Sequence, residues 1–404
     1  MLKITKISAT VLIFYVLFYL QVWGDNHLLL YGSAIIVILS MGIHCINMGS
    51  LKYTNVPFGI WNNLALAIYS ILVGFTMVEN TLSILSSTIT LLAYSIVCIA
   101  ISYTATEEGS FEWVLKVLVA LALVCSIYTL FFGVEWDRYG ITMSKTNNPH
   151  NLAGVLNLGI FATAYMNRNK ENKFSFISFI LMMLFILVTI KCGSRKYLVA
   201  NALIVTAWAL AALKDKLSNE DKNQKILAVL IFIMFATVVY FISHDIFLSS
   251  NSYNRMQSNM DQGNQNRLWM YEKAWEIFLD HPIFGGGFNQ FRYWSGTGGY
   301  SHSTYAEAIA DFGVVGCTLY FLPILTVTCR LIRKCLNSER NYGNFVLLSF
   351  CILELFIGVG QIFFMEFHHF LVWTMLFFYA QTTDCSRNEA SLLSAHKHIY
   401  KYIK

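Results

Sequence analysis

Proline is rare in this chain, four in 404 residues, and Asp, Glu, Lys and Arg together make up only 13% of it, against about a quarter in soluble domains. There is no long run of like charge and no Gly/Ser-rich stretch, which leaves little room for a disordered linker or a detachable soluble domain. The nine cysteines stand singly and none falls in a CxxC pair, which argues against a zinc site or a disulfide framework. They read as small apolar residues of a membrane interior. The excess of 28 Lys+Arg over 23 Asp+Glu is too slight to indicate a nucleic-acid partner.

Apolar residues, by contrast, make up 56% of the chain, and the mean hydropathy is +0.54. These values predict an all-α, polytopic membrane protein forming one integral membrane domain over 1–404. A helix needs roughly 20 apolar residues to cross the hydrocarbon while satisfying its own backbone. About twelve such runs are present: 7–23, 28–46, 58–78, 82–103, 111–133, 150–166, 174–191, 195–213, 226–243, 305–332, 345–363 and 367–383. The first follows Lys3 and Lys6 like a signal peptide, but it is longer than a typical h-region and lacks a small-residue cleavage site, so it reads as a span. Most Lys and Arg fall in segments that are cytoplasmic if the N-terminus is inside, as the positive-inside rule requires, and both termini are then expected in the cytoplasm.

Most connections are short, so the stretch 244–304 stands apart as a large extracytoplasmic loop. Within it, Arg267 to Leu279 sets Leu268, Tyr271, Trp275 and Phe278 at helical spacing, predicting an amphipathic helix opened by Arg267. His281-Pro282 and Gly285-Gly286-Gly287 end it. That helix either lies on the membrane surface or caps the bundle.

A charge at membrane depth is costly and tends to be functional, so the polar residues near the outer side are the candidates. Arg195, in the tight turn Cys192-Gly193-Ser194-Arg195-Lys196, is either an interfacial side chain reaching lipid headgroups or a guanidinium gripping a phosphate with its planar fork. Arg267, in an unfavourable place at a helix start, calls for an anionic partner, either a carboxylate such as Glu272 or a bound diphosphate. His302, just before the span at 305–332, is either inert or a proton acceptor at neutral pH. Glu307 stands at capping-box spacing from Thr304 and reads as structural rather than catalytic. Asn147 to Asn151 reads as an N-cap with Pro149 at the first helical position, and His150 and Asn151 could also hydrogen-bond sugar. Glu366, His368 and His369 match no metal signature and read as interfacial. No DxD occurs, which removes the commonest sequence sign of a metal-assisted sugar transfer, and no metal site is expected.

In this order, the GSR turn, "NRLWMYEKAWEIFLDHPIFGGGFNQF" and "HSTYAEAIADFGVVG" resemble the O-antigen ligase and Wzy-type polysaccharide polymerase superfamily, over about residues 140–330. The resemblance implies a twelve-helix membrane fold whose outer loop covers a site for undecaprenyl-diphosphate-linked oligosaccharide. Arg195 and Arg267 match the arginines that hold the diphosphate, and His302 matches the histidine proposed to activate the acceptor hydroxyl. Glu307, His150 and Asn151 are accessory candidates. The implied chemistry is inverting and uses neither cofactor nor metal. The implied partners are the growing glycan or lipid A core as acceptor, membrane lipid and a chain-length regulator, and the implied location is the bacterial inner membrane with the site on its extracytoplasmic face. Within the family the reaction is either repeat-unit polymerisation, the reading favoured here, or ligation of finished glycan. A flippase or transporter would need several charges lining a path through the bilayer; Glu354 and Lys116 are the main mid-span charges.

Overall fold

The computed structural model describes residues 2–23, 27–48, 56–77, 81–108, 111–136, 140–144, 148–167, 176–219, 260–336, 342–364 and 366–381. The expected ninth span at 226–243, and residues 244–259 of the large loop, lie outside these.

The described chain is almost entirely helical. The first helix, α1 (Leu2–Phe14), runs on through a π-helical stretch to Trp23. It is followed by α2 (His27–Met48), α3 (Phe58–Met77), α4 (Thr81–Glu108), α5 (Glu112–Phe132), α6 (Pro149–Met166), α7 (Phe176–Lys191) and α8 (Arg195–Asn219). After the undescribed segment come α9 (Met260–Asp280), the single turn α10 (Phe291–Trp294), α11 (Thr304–Leu336), α12 (Tyr342–Ile357) and α13 (367–381). Five helical stretches among the described residues are long and apolar enough to cross a membrane: Lys3–Trp23, Phe58–Thr76, Ser87–Glu107, Glu112–Phe132 and Thr304–Leu336. Shorter apolar helices accompany them.

The all-α expectation misses one small feature. An antiparallel hairpin of two three-residue strands, β1 (Val134–Trp136) and β2 (Gly140–Thr142), links α5 to α6. Gly140 has φ +121°, and a Cβ there would meet the Lys191 carbonyl oxygen at 2.5 Å, so the hairpin packs tightly against the turn that precedes Arg195.

Two helices form the centre. In α6 every residue from Leu152 to Tyr165 is buried, and α13 is buried from Phe367 to Ala380, as expected for helices that are apolar all round. Small residues let neighbours approach: a Cβ on Gly159 would lie 2.3 Å from that of Ala122 in α5. Aromatic pairs fill the remainder, Phe161 on Phe350 with ring centroids 4.0 Å apart and Tyr165 on Tyr379 at 4.6 Å. Asn157 donates to Asn201 Oδ1 (2.7 Å), and Asn201 donates to Thr189 Oγ1 (3.1 Å), joining α6, α8 and α7 through buried amides.

The long helix α11 carries a proline in its interior, Pro323. Proline has no N–H, so the carbonyl four residues earlier, that of Leu319, loses its helical partner. The Asn62 side-chain amide of α3 donates to that carbonyl, the kind of replacement that makes proline tolerable in apolar helices.

The eleventh expected span, 345–363, is corrected. Helix α12 stops at Ile357 and the chain turns through Gly358 and Gly360 before α13 begins. Backbone N–H groups of 358, 359 and 360 close turns on Glu354, Phe356 and Ile357 carbonyls.

Candidate active site

The amphipathic helix of the loop exists, with two corrections. It begins at Met260, so Arg267 lies two turns in and not at its opening. Its buried side is Ala274 and Ile277 with Met270 and Tyr271, packed on Phe291, Ala306 and Ala310. Leu268 and Trp275 are more than half exposed. Alanines on facing helices allow the close approach, and a search for large apolar residues does not register them.

After α9 the chain folds back on α11. Gly286 and Gly287 donate backbone N–H groups to the carbonyls of Ala310 and Asp311, and Val314 and Val315 donate to those of Pro282 and Ile283. Both backbones need glycine here: Gly285 (φ +74°) and Gly313 (φ +58°) pass so closely that a Cβ on Gly313 would sit 2.5 Å from Gly285 N. Tyr69 Oη donates to the carbonyls of Phe284 and Phe312, both at 2.8 Å, and holds the crossing to α3. Asp311 is buried and accepts backbone N–H groups from Asn289 (2.7 Å), Gln290 (3.2 Å) and Phe291 (2.9 Å), capping α10. The glycine run is therefore architectural and no phosphate loop.

These contacts present the turn that carries His302. Its φ is +60°, a conformation uncommon outside glycine, and one held only where the surroundings fix it. The bracing is visible on both sides. Ser301 N donates to Glu307 Oε2 (2.6 Å), and Ser301 Oγ donates to the Ser303 carbonyl (3.0 Å). The His302 ring lies against Tyr300, centroids 4.3 Å apart, and the Arg292 guanidinium stands over the Tyr300 ring at 5.7 Å. Burial, then the charges of Arg267 and Lys196, hold the His302 imidazole below the usual histidine range. Neutral imidazole is the form that can accept a proton.

The expected capping box is corrected. Thr304 gives its hydroxyl to the Gln361 carbonyl (2.5 Å), and the same oxygen accepts from Phe363 N (3.0 Å). Ala306 N is directed at Ser303 Oγ (3.4 Å), which places the cap one residue earlier. Glu307 is fully buried and serves the His302 turn, with its second oxygen unpartnered.

Arg195 is the first residue of α8 and is exposed. Among the described residues no side-chain hydrogen bond or ion pair engages it or Arg267. The electrostatics bring Arg267 and His302 together; they add Lys196 and do not mark Arg195. Ser194, fully buried beside Arg195, is within 2.8 Å of His150 Nδ1, so α6 is tied to the GSR turn. The N-cap reading of the α6 start holds: Asn148 Oδ1 accepts from His150 N (2.9 Å), and Pro149 opens the helix. Asn151 donates its backbone N–H to the Asn148 carbonyl and is half-buried.

The interfacial reading of His368 and His369 is also corrected: they are 3% and 1% exposed. They lie at the start of α13, inside the bundle, and His369 finds Glu354 of α12 there. Lys196 and Gln361 went unnoticed as site residues. The signal for Gln361 was present, a polar residue following two glycines in a run otherwise read as membrane span.

The arrangement is thus a helical bundle in which the charges of Arg267 and Lys196 act on His302 where helix ends meet. Residues 177–321 match the family described as O-Antigen ligase; no curated protein matches. The match supports the resemblance drawn from the loop motifs, and the matched region takes in Arg195, Arg267, His302 and Glu307. That match and the long apolar helices together point to a multi-pass membrane protein.

Proposed function

We propose that this protein polymerises polysaccharide repeat units, transferring glycan from an undecaprenyl-diphosphate donor to a sugar hydroxyl on the extracytoplasmic face of the inner membrane. The observation that carries the reading is the strained, braced turn of His302, whose imidazole is held below the usual histidine range by burial and then by the charge of Arg267.

In the proposed step the acceptor hydroxyl attacks the anomeric carbon as His302 takes its proton. A new glycosidic bond forms with inversion, the bond from carbon to phosphate oxygen breaks, and polyprenyl diphosphate leaves with the electron pair. Arg267 and Arg195 stabilise the charge growing on it; removing one such donor typically costs on the order of 3 kcal/mol, about a hundredfold in rate. No metal is called for in this scheme. The description of the matched family favours a second reading, ligation of finished glycan to lipid A core or another acceptor.

Purified protein supplied with undecaprenyl-diphosphate oligosaccharide in detergent tests both. A ladder of lengthened lipid-linked chains supports the polymerase. Transfer only to an added core-lipid acceptor identifies a ligase, and no transfer under either condition removes the proposal. Full inhibition by EDTA that Mg²⁺ restores would remove the metal-free scheme.

A further inference from the structure

Lys196 follows Arg195 in the first turn of α8 and is held unusually for a half-buried ammonium. Its Nζ donates to Gln361 Oε1 (2.7 Å) and to the Gly360 carbonyl (3.1 Å). It also stands 5.4 Å from the Tyr197 ring centroid. Among the described residues no carboxylate pairs with it within 4 Å. Glu354 and Glu366 act on it only from further away, and Arg267 faces it with like charge.

An ammonium has three N–H donors, and two neutral oxygens occupy two of them. A cation taken partly out of water wants an anion, and placing two cations beside a histidine is unfavourable until one arrives. Gln361 also fixes where this cation stands relative to the base. Its side-chain oxygen accepts from Tyr197 Oη (2.9 Å) as well, and its carbonyl accepts Thr304 N (2.9 Å), two residues beyond His302. One residue thereby ties the head of α8 to the head of α11. Tyr271 of α9, one turn after Arg267, adds a bond to the Val359 carbonyl (3.2 Å).

We infer that Lys196 is a further ligand of the donor diphosphate, and that Gln361 is the positioning residue that aims its ammonium at the anion beside Arg267 and His302. The inference rests on the donor proposed above and extends its phosphate grip to a residue outside the arginine pair.

The test is titration of the purified full-length protein in detergent with undecaprenyl diphosphate. Lys196→Met is expected to weaken binding about tenfold or more, as for loss of one hydrogen bond between charged groups, with Lys196→Arg recovering most of it. Gln361→Glu is expected to weaken binding comparably, because a carboxylate would pair with the ammonium and withhold it. If Lys196→Met binds within twofold of wild type while Arg267→Ala does not, Lys196 is only a structural tie; the inference fails and the proposed donor stands. Wild-type protein that does not bind undecaprenyl diphosphate removes both. Should Lys196→Met not fold, Gln361→Glu decides: wild-type affinity in that variant overturns the inference.

Discussion

His369 Nδ1 lies 2.7 Å from Glu354 Oε2, with both side chains at most 2% exposed. The pair joins α13 to α12, and the His369 ring is in contact with Phe363 at 3.9 Å and His368 at 4.0 Å. Truncating one partner strands the other polar group where water cannot reach it, at a cost of about 1–3 kcal/mol. His369→Ala and Glu354→Ala should each lower the thermal midpoint in detergent. The double replacement Glu354→Ala with His369→Ala should be less harmful than the two single losses added. Simple additivity would show that the pair contributes nothing as a unit.

Proton acceptance by His302 sets a sign for the pH profile. Its pKa is lowered from 6.5, so the imidazole stays neutral through pH 7 and the rate should fall only below pH 6.5. Arg267 is one cause of the lowering, so Arg267→Gln should move the acid limb upward, toward 6.5, besides reducing the rate. A limb that stays fixed or moves down contradicts the coupling. His302→Ala should lose about 10²-fold or more at neutral pH; activity within a few-fold of wild type would remove the base assignment.

Asn62 and Pro323 make a closed thermodynamic cycle. Asn62→Ala leaves the Leu319 carbonyl without a partner, and a stability loss of about 1–3 kcal/mol is expected. Adding Pro323→Ala supplies the missing helical N–H, and the double variant should regain much of that loss. Independent effects of the two substitutions would mean that the amide does not compensate for the proline.

Glu307 is expected to act through the turn that it braces. Glu307→Gln keeps an oxygen for Ser301 N–H and should retain folding and most activity. Glu307→Ala removes that acceptor and should lower both thermal stability and turnover. If Glu307→Gln abolishes turnover in a fully stable protein, the carboxylate itself takes part in the chemistry.

Hydropathy alone located the helices: 58–78 became Phe58–Met77, 111–133 became Glu112–Phe132 and 174–191 became Phe176–Lys191. It failed where composition and geometry part. Run length could not see that Gly358 and Gly360 break 345–363, and it is this break that creates the turn holding Lys196 and Thr304. Polarity suggested an interfacial place for His368 and His369, but a histidine can be buried when a carboxylate such as Glu354 meets it from another helix. Of the candidate residues, the place of His302 just before α11 and of Arg267 on an amphipathic helix was legible from local motifs. For Gln361 the only signal was a polar residue after Gly358 and Gly360, and its role was not legible because its partners Lys196, Tyr197 and Thr304 are brought to it only by the fold.

The burial of α13 on every side has a consequence for synthesis. This helix emerges after all the others described, yet it fills the middle of the bundle beside α6. Until it leaves the ribosome, the inward faces of α6 and α12 have lipid or an insertion factor for a neighbour in place of protein, and Glu354 has no histidine. The bundle must therefore stay open along one side to admit its last described helix, and a chain halted after α12 lacks one of its two central helices.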